Sequence, residues 1–423
     1  MTTPHPSRLL HPDPIVRRLA AITLVNTLGN GLMMTLSALF FTQMLGFGVA
    51  QVGVGLTAAG LCGVLAGIPA GWAADRWGSK PVLVVLVAAE AAGTVGYVLV
   101  HRFTAFVLLA CVVTALDRGS SAVRNALYAE VLPADRRVAG RAYLRVVTNV
   151  GMGVGTALAA LALQSDTRAA YVAAILADAV SFAVVAVMFL TVQVAARAQE
   201  VAAAAAGAEP DAGTGRNPAL RNLPFLAVTA LNGVLCLQFA MIEVGVPLWI
   251  ARHTAAPRVM VAGSLMVNMV MVVALQVRAT RGTEEAGAAA RVFGRGGLLI
   301  AASCLVLGLA HGVPGTAAAL LVVAGVALQG LGEVYSQAGG WALSYGLAGE
   351  GAHGAYQGVF NTGQSAAMMF GPALVTGAVI GNGLLGWAVL GGLFALCGLA
   401  MAPAVRWSGR RSAAAAPVAV PVT

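Results

Sequence analysis

The sequence predicts an all-α integral membrane protein whose twelve transmembrane helices form two halves of six. Three observations carry that prediction. The 423 residues are 59% hydrophobic and only 10% charged, with a mean hydropathy of +0.84. Soluble domains hold about 25% charged residues, and a surface this poor in charge cannot face water. Apolar stretches long enough to cross a bilayer recur along the chain, and its arginines gather in alternate connections.

The elements follow in order. Pro4, Pro6, Pro12 and Pro14 make residues 1–16 a polar segment without the apolar core of a signal peptide, so a cytoplasmic tail is expected over 1–18. Spans are then expected at 19–44, 51–73, 82–101, 104–126, 142–163 and 169–195, forming an N-terminal half over 19–195. Residues 196–222, with an AAAAAG run, Pro210, Asp211 and Gly213, read as a cytoplasmic linker. A second set of spans is expected at 223–250, 259–279, 293–312, 315–341, 355–380 and 383–405, giving a C-terminal half over 223–405 and a cytoplasmic tail over 406–423.

The basic residues set the orientation. With the N-terminus inside, 19 of the 25 fall on the cytoplasmic side and 4 on the outer side, with Arg118 and Arg124 inside a span. Cytoplasmic loops collect Lys and Arg, so both termini are expected in the cytoplasm. This accounts for the net charge of +9 without a nucleic-acid partner. Of the basic residues only Lys80 is a lysine, a bias expected of a GC-rich bacterial genome, and the cytoplasmic membrane of a bacterium is the expected location.

Several chemistries find no support. Cys62, Cys111, Cys236, Cys304 and Cys397 lie in separate apolar stretches without a CxxC, and no HExxH or histidine cluster occurs, so neither metal nor disulfide is expected. Lys80 stands between Ser79 and Pro81, which excludes the G-K-[ST] of a P-loop and points to an ion gradient as the energy source. No cofactor is expected. An intramembrane enzyme or a receptor is the reading from another class, but no histidine lies in mid-span to serve catalysis.

The most specific motif is GWAADRWGSK over residues 71–80. Gly78 suits a turn with positive φ, Asp75 can offset helix N-terminal amides or a nearby arginine, and Arg76 and Lys80 hold the inner side. The pattern G-x3-D-R-x-G-x-[KR] in the second connection of a twelve-span chain resembles the signature loop of the major facilitator superfamily. It departs at Ser79, where that family usually has a basic residue, and the corresponding loop QVRATRGTEEAG of the second half lacks the Asp and Gly placement. RAYLRVVTNVG and GAYQGVFNTGQ echo each other faintly, with Tyr143 and Tyr356 in register, as an internal repeat would require.

The resemblance implies the major facilitator fold and a loop that acts as a latch between halves. Gly71, Asp75, Arg76, Gly78 and Lys80 then become gate residues, with Arg124, Glu130 and Arg145 as gate ion pairs near Asp75. Exporters of the superfamily carry G-x3-G-P in span five. Here Gly151, Gly153 and Gly155 are present with Thr156 in the proline's place, while a Gly-Pro stands at Gly371 and Pro372 in span eleven. Small residues of this kind also serve close helix packing.

Ionisable groups inside spans default to functional candidates. Five acids qualify: Glu90, Asp117, Asp178, Glu243 and Glu333. In the superfamily spans one, four, seven and ten line the cavity, which implies Asp117, Glu243 and Glu333 as proton-coupling or cation-binding groups. Arg118 would serve an anionic substrate or another acid, because consecutive helix residues diverge by about 100° and need not pair. Glu90 and Asp178 fall on helices taken as peripheral and are expected to turn inward to polar neighbours. Polar candidates of a second tier are Asn26 and Asn30, Gln238, Gln329 and Gln337, and Asn361 and Gln364. The expected function is alternating-access, proton-coupled export of small amphipathic drugs or metabolites by a monomer. An importer or a lipid flippase of the same superfamily is the alternative.

Overall fold

A computed structural model describes residues 12–41, 45–133, 136–165, 167–192, 217–257, 259–349 and 352–415. The first eleven residues, linker residues 193–216 and the tail beyond 415 lie outside the described residues. Among those described the architecture is helical, and the β structure is an isolated bridge between Thr254 and His311.

The first six helices are α1 (Pro14–Leu39), α2 (Val49–Trp77), α3 (Ser79–Leu99), α4 (Phe103–Val131), α5 (Arg137–Ser165) and α6 (Arg168–Leu190). Helix α1 opens inside the stretch expected as tail. Pro14 is tolerated in a first turn, and the Asp13 carboxylate accepts the Ile15 N–H at 2.9 Å. Helix α2 runs to Trp77, so most of the signature motif is helical and the turn narrows to Gly78, at φ 88°. An L-residue with a side chain rarely adopts that angle, and Gly78 alone lets α3 begin at the next residue.

A single turn at Pro218–Arg221 precedes α7 (Leu223–His253), which contains a π-helical turn at Met241–Gly245. Then come α8 (Val259–Leu275), α9 (Ala286–Gly308) and α10 (Gly315–Gly346). The segment His353–Ala415 is two helices meeting at Gly383, at φ 57°, here α11 (353–382) and α12 (384–415).

Among the described residues eight helices are long and apolar enough to cross a membrane: α2, α3, α4, α6, α7, α9, α10 and α12. The expected count of twelve is therefore not reached by length and composition. The other four expected stretches coincide with the helices α1, α5, α8 and α11.

Two compact units emerge. The first takes in the described residues of Met1–Arg216 and those of Gly349–Ser365, and the second those of Asn217–Ala348 and Ala366–Thr423. In the first, one apolar cluster includes Leu19, Leu83, Val87, Leu127, Phe182 and Phe189. Another gathers aromatic rings, among them Phe41 and Phe106 with centroids 4.6 Å apart. Helices α1 and α5 cross closely, since a Cβ on Gly155 would meet the Leu28 carbonyl and the Gly31 Cα. In the second unit Trp249 donates from Nε1 to the Leu307 carbonyl at 2.8 Å and packs edge-on against Trp387. The outward faces carry Leu65, Val85, Leu108, Val187, Leu320 and Leu396, while Asn26, Glu90, Asp178, Gln238, Gln329 and Glu333 are buried. Apolar outside and polar inside is the distribution lipid imposes.

Candidate functional site

Three groups of residues stand out, two in the first unit and one in the second. The first is a clasp between α2 and the start of α11. Gly67 and Gly71, one turn apart on α2, face Gly358 and Gly354 on α11. A Cβ on either α2 glycine would meet the facing carbonyl oxygen, and the reverse holds for both α11 glycines. Only hydrogen fits at such a crossing. One further turn along the same face stands Asp75. Its two carboxylate oxygens accept the N–H groups of Gly354 and Ala355, each at 2.6 Å. The first amides of a helix have no partner within it, and a carboxylate satisfies them while meeting the positive end of the helix dipole.

The rest of the motif fixes neighbouring ends. Ser79, buried, donates to Glu130 Oε1 at 2.5 Å, so the residue that departs from the family pattern has its own partner here. Lys80 donates to the Leu190 carbonyl at 2.7 Å and Arg18 to the Thr191 carbonyl at 2.5 Å, both at the carbonyl-rich end of α6. Arg76 lies over the Trp72 ring, 5.7 Å from its centroid. Arg124 and Arg145 are half-buried on α4 and α5. Arg124 acts electrostatically on Glu90 on α3. The Asn361 side chain donates to the Arg118 carbonyl at 3.2 Å, which ties α11 to α4 as well.

The second group is charged and lies among α3, α4 and α6. Asp117 and Arg118 pair at 3.5 Å despite being consecutive. Both side chains keep more than a third of their surface open, which gives two flexible arms room to meet. Glu90, 2% exposed, accepts from Ser120 at 3.5 Å and feels the charges of Asp117, Arg124 and Asp178. Asp178 is equally buried, and its Oδ1 has no hydrogen-bond partner. A Cβ on Gly29 of α1 would meet Asp178 Oδ1 and Ser181 Oγ, so α1 presses directly on this carboxyl. Asn26, one turn earlier on α1, is buried with its Oδ1 unpartnered. Asn30 is half-buried.

The third group, in the second unit, is built of amides. Asn268 of α8 donates to Gln329 Oε1 at 2.8 Å and to Glu333 Oε2 at 3.0 Å. Gln329 donates to the same Glu333 oxygen at 3.2 Å and to Gln238 Oε1 at 3.4 Å. Gln238 donates to Ser336 Oγ at 3.1 Å, and that hydroxyl donates to the Glu333 carbonyl at 2.9 Å. Gln238, Gln329, Glu333 and Ser336 are at most 2% exposed. Spacing explains the convergence, because Gln329, Glu333 and Ser336 share one face of α10 at intervals of four and three.

The structure thus brings together Gln238, Gln329 and Glu333, and adds Asn268 and Ser336, which sequence reasoning missed. The signal for Asn268 was present as an amide in the middle of VMVAGSLMVNMVMVVAL. Glu243 stands elsewhere, exposed in the π-helical turn of α7. Such turns are frequent at functional sites. Gln337 is buried and Gln364 half-buried on α10 and α11.

A helical protein with lipid-compatible faces, carboxyls and amides buried inside its spans and a clasp between glycine-lined helices belongs to the class of polytopic membrane transporters. The chain is a member of the major facilitator superfamily, whose family model, described as Major Facilitator Superfamily, matches residues 19–372. Solved transporters share the fold at low identity. The human organic anion transporter MFSD10 (TETRAN) is 16% identical with a TM-score of 0.61, over 92% of this chain and 100% of that one. The proton:xylose symporter XylE is 13% identical at 0.67, over 92% and 95%. A bacterial homologue of the iron transporter ferroportin, in an outward-facing state, is 12% identical at 0.69, over 94% and 100%. A comparison with curated protein sequences finds no match.

Proposed function

We propose that the chain is a secondary active transporter that works by alternating access and couples the export of small amphipathic drugs or metabolites to protons. The observation that carries the reading is the Glu333 carboxyl, buried in a span and surrounded by amides. An amide offers N–H donors to a carboxylate, and after a half-turn its carbonyl accepts from a carboxylic acid. Such surroundings suit a group that takes up and releases a proton without unfolding its neighbours. The sparse amides in otherwise apolar spans suit an amphipathic substrate better than a sugar, which needs many hydroxyl partners.

In this reading the six-helix halves, 19–195 and 223–405, rock about the substrate with the linker 196–222 between them. The Asp75 clasp holds one end of the cycle and opens in the other. Both termini lie in the cytoplasm of a bacterium, and the monomer is the working unit. The test is flux of ethidium, an amphipathic cation, in proteoliposomes under an imposed pH gradient. Gradient-driven movement that collapses with a protonophore is expected, and its absence across a panel of amphipathic cations and antibiotics sinks the reading. Thr156, exposed on α5 where exporters have proline, favours testing the opposite gradient for import in the same vesicles.

A further inference from the structure

The charged group of the first unit has no place in the coupling scheme built on Glu333, yet its composition is unbalanced. Three carboxyls, Glu90, Asp117 and Asp178, act on one another across α3, α4 and α6. Two guanidiniums accompany them: Arg118, paired with Asp117, and Arg124, acting on Glu90. One negative charge is left over, and it falls on the two most buried members, Glu90 and Asp178, each 2% exposed.

Among the described residues, the cation that acts on Glu90 is Arg124, and none is seen to act on Asp178. On α3 the further titratable group at Glu90 is the Tyr97 phenol, which is neutral. Helix α1 presents Gly29 to Asp178, and its arginines, Arg17 and Arg18, lie in its first turns. The α2 charges, Asp75 and Arg76, are at its C-terminal end, and the arginines of α5 are in its first half. An unbalanced charge deep in a bilayer is expensive. Binding one proton removes it.

Hydrogen bonding points the same way. A carboxylate can only accept, and Asp178 Oδ1 has no donor. The α1 residue that faces it is Gly29, which has no polar side chain, and the Asn26 Oδ1 one turn away also lacks a donor. The neighbouring Ser181 hydroxyl donates to the Asp178 backbone carbonyl at 2.8 Å, so the O–H of a carboxylic acid would add a donor that this buried face lacks.

We propose that Glu90 and Asp178 hold one proton between them, and that the first unit thereby carries a proton site of its own, separate from Glu333. The transport part of this inference rests on the proton-coupled reading above. The occupancy of the site does not.

The experiment is infrared spectroscopy of the full-length protein at neutral pH, reading the carbonyl stretch of un-ionised carboxylic acids, with flux measured on the same preparations. Wild type is expected to show the acid band, Asp178→Asn and Glu90→Gln each to diminish it, and Glu333→Gln to leave that component in place. Both substitutions mimic the protonated acid in shape, so either folded variant suffices. Absence of the band in wild type, or its survival in the two variants, overturns the proposal. In vesicles, both variants are expected to lose most pH-driven ethidium flux while retaining ethidium exchange without a gradient. Wild-type flux in both overturns the coupled role. If wild type itself shows no pH-driven flux, the proton-coupled export reading falls, and the band still decides the site.

Discussion

In the second unit one carboxyl, Glu333, sits among three amides, and each amide nitrogen of Asn268, Gln329 and Gln238 has an acceptor within 3.4 Å. In the first unit three carboxyls share their surroundings with two arginines, and buried atoms of Asp178, Asn26 and Arg124 lack hydrogen-bond partners. The same cost, polar groups placed in spans, is thus met in two ways. Amides satisfy one another and can rotate to serve an acid or its anion. Charges cannot rotate away their sign, so the charged group of the first unit depends on net charge and the amide network of the second unit on geometry. Substitutions that preserve shape but remove charge, and substitutions that preserve charge but remove partners, should therefore affect the two units in opposite ways.

The largest effect is expected at Glu333. Replacement by Gln keeps the shape and lets Asn268 and Gln329 keep an acceptor, so the fold survives, but no proton can be exchanged. Gradient-driven flux in proteoliposomes is expected to fall to background while the thermal midpoint stays close to wild type. A variant with full flux would move the coupling group of the second unit away from Glu333, with Glu243 the next position to substitute.

Asp75→Ala comes second and addresses a region common to both kinds of network, where a charge serves geometry. It removes two hydrogen bonds from a carboxylate to helix amides, each worth about 1.5–3 kcal/mol when one partner is charged. Even one such bond shifts a two-state equilibrium by about tenfold or more. Flux is expected to drop by about that factor, and thiol labelling of a cysteine placed at Ala355 is expected to speed up as the α11 end is released. Unchanged labelling would show that the glycine crossing alone holds α11 on α2.

Much of this was readable beforehand and some was not, for physical reasons. Composition and span length exposed the helical membrane class because lipid forbids other solutions. Asp75 was read as a partner for helix amides, but the helix it meets lies 279 residues away, and no local spacing could name it. Glu90 is expected to turn inward even from a helix at the periphery, and its buried face runs Ser79, Leu83, Val87, Glu90, Thr94, Tyr97, a regular helical stripe already present in the sequence. The position of a helix in a bundle says nothing about which face a residue takes, whereas spacing does. Asp117 and Arg118 were separated by the geometry of the backbone, and long side chains overcame it. The start of α1 at Pro14 was missed because prolines were read as breakers, although the first turn of a helix accepts them.

Asn268→Leu carries the comparison to stability. It removes the donor that serves both Gln329 and Glu333 and leaves buried acceptors short of a partner, a loss of about 1–3 kcal/mol. A lower midpoint of thermal unfolding in detergent checks it. A neutral outcome would mean that the remaining amides rotate to cover the gap, and that the geometry of this network is looser than its hydrogen bonds imply.

The smallest expected effect on stability has the opposite sign, and it bears most directly on the contrast. Asp178→Asn makes the shared proton unnecessary at a carboxyl whose Oδ1 has no partner, and supplies an N–H₂ donor beside Ser181 Oγ. If the first unit is limited by net charge, this substitution leaves the unfolding midpoint unchanged or raises it, by the equivalent of less than about 1 kcal/mol. Asn268→Leu and Asp178→Asn would then move in different directions, although each alters one buried polar side chain. A fall for Asp178→Asn as large as that for Asn268→Leu would break the comparison. It would mean that Asp178 accepts hydrogen bonds as an anion, and that the first unit is held by geometry in the same way as the second.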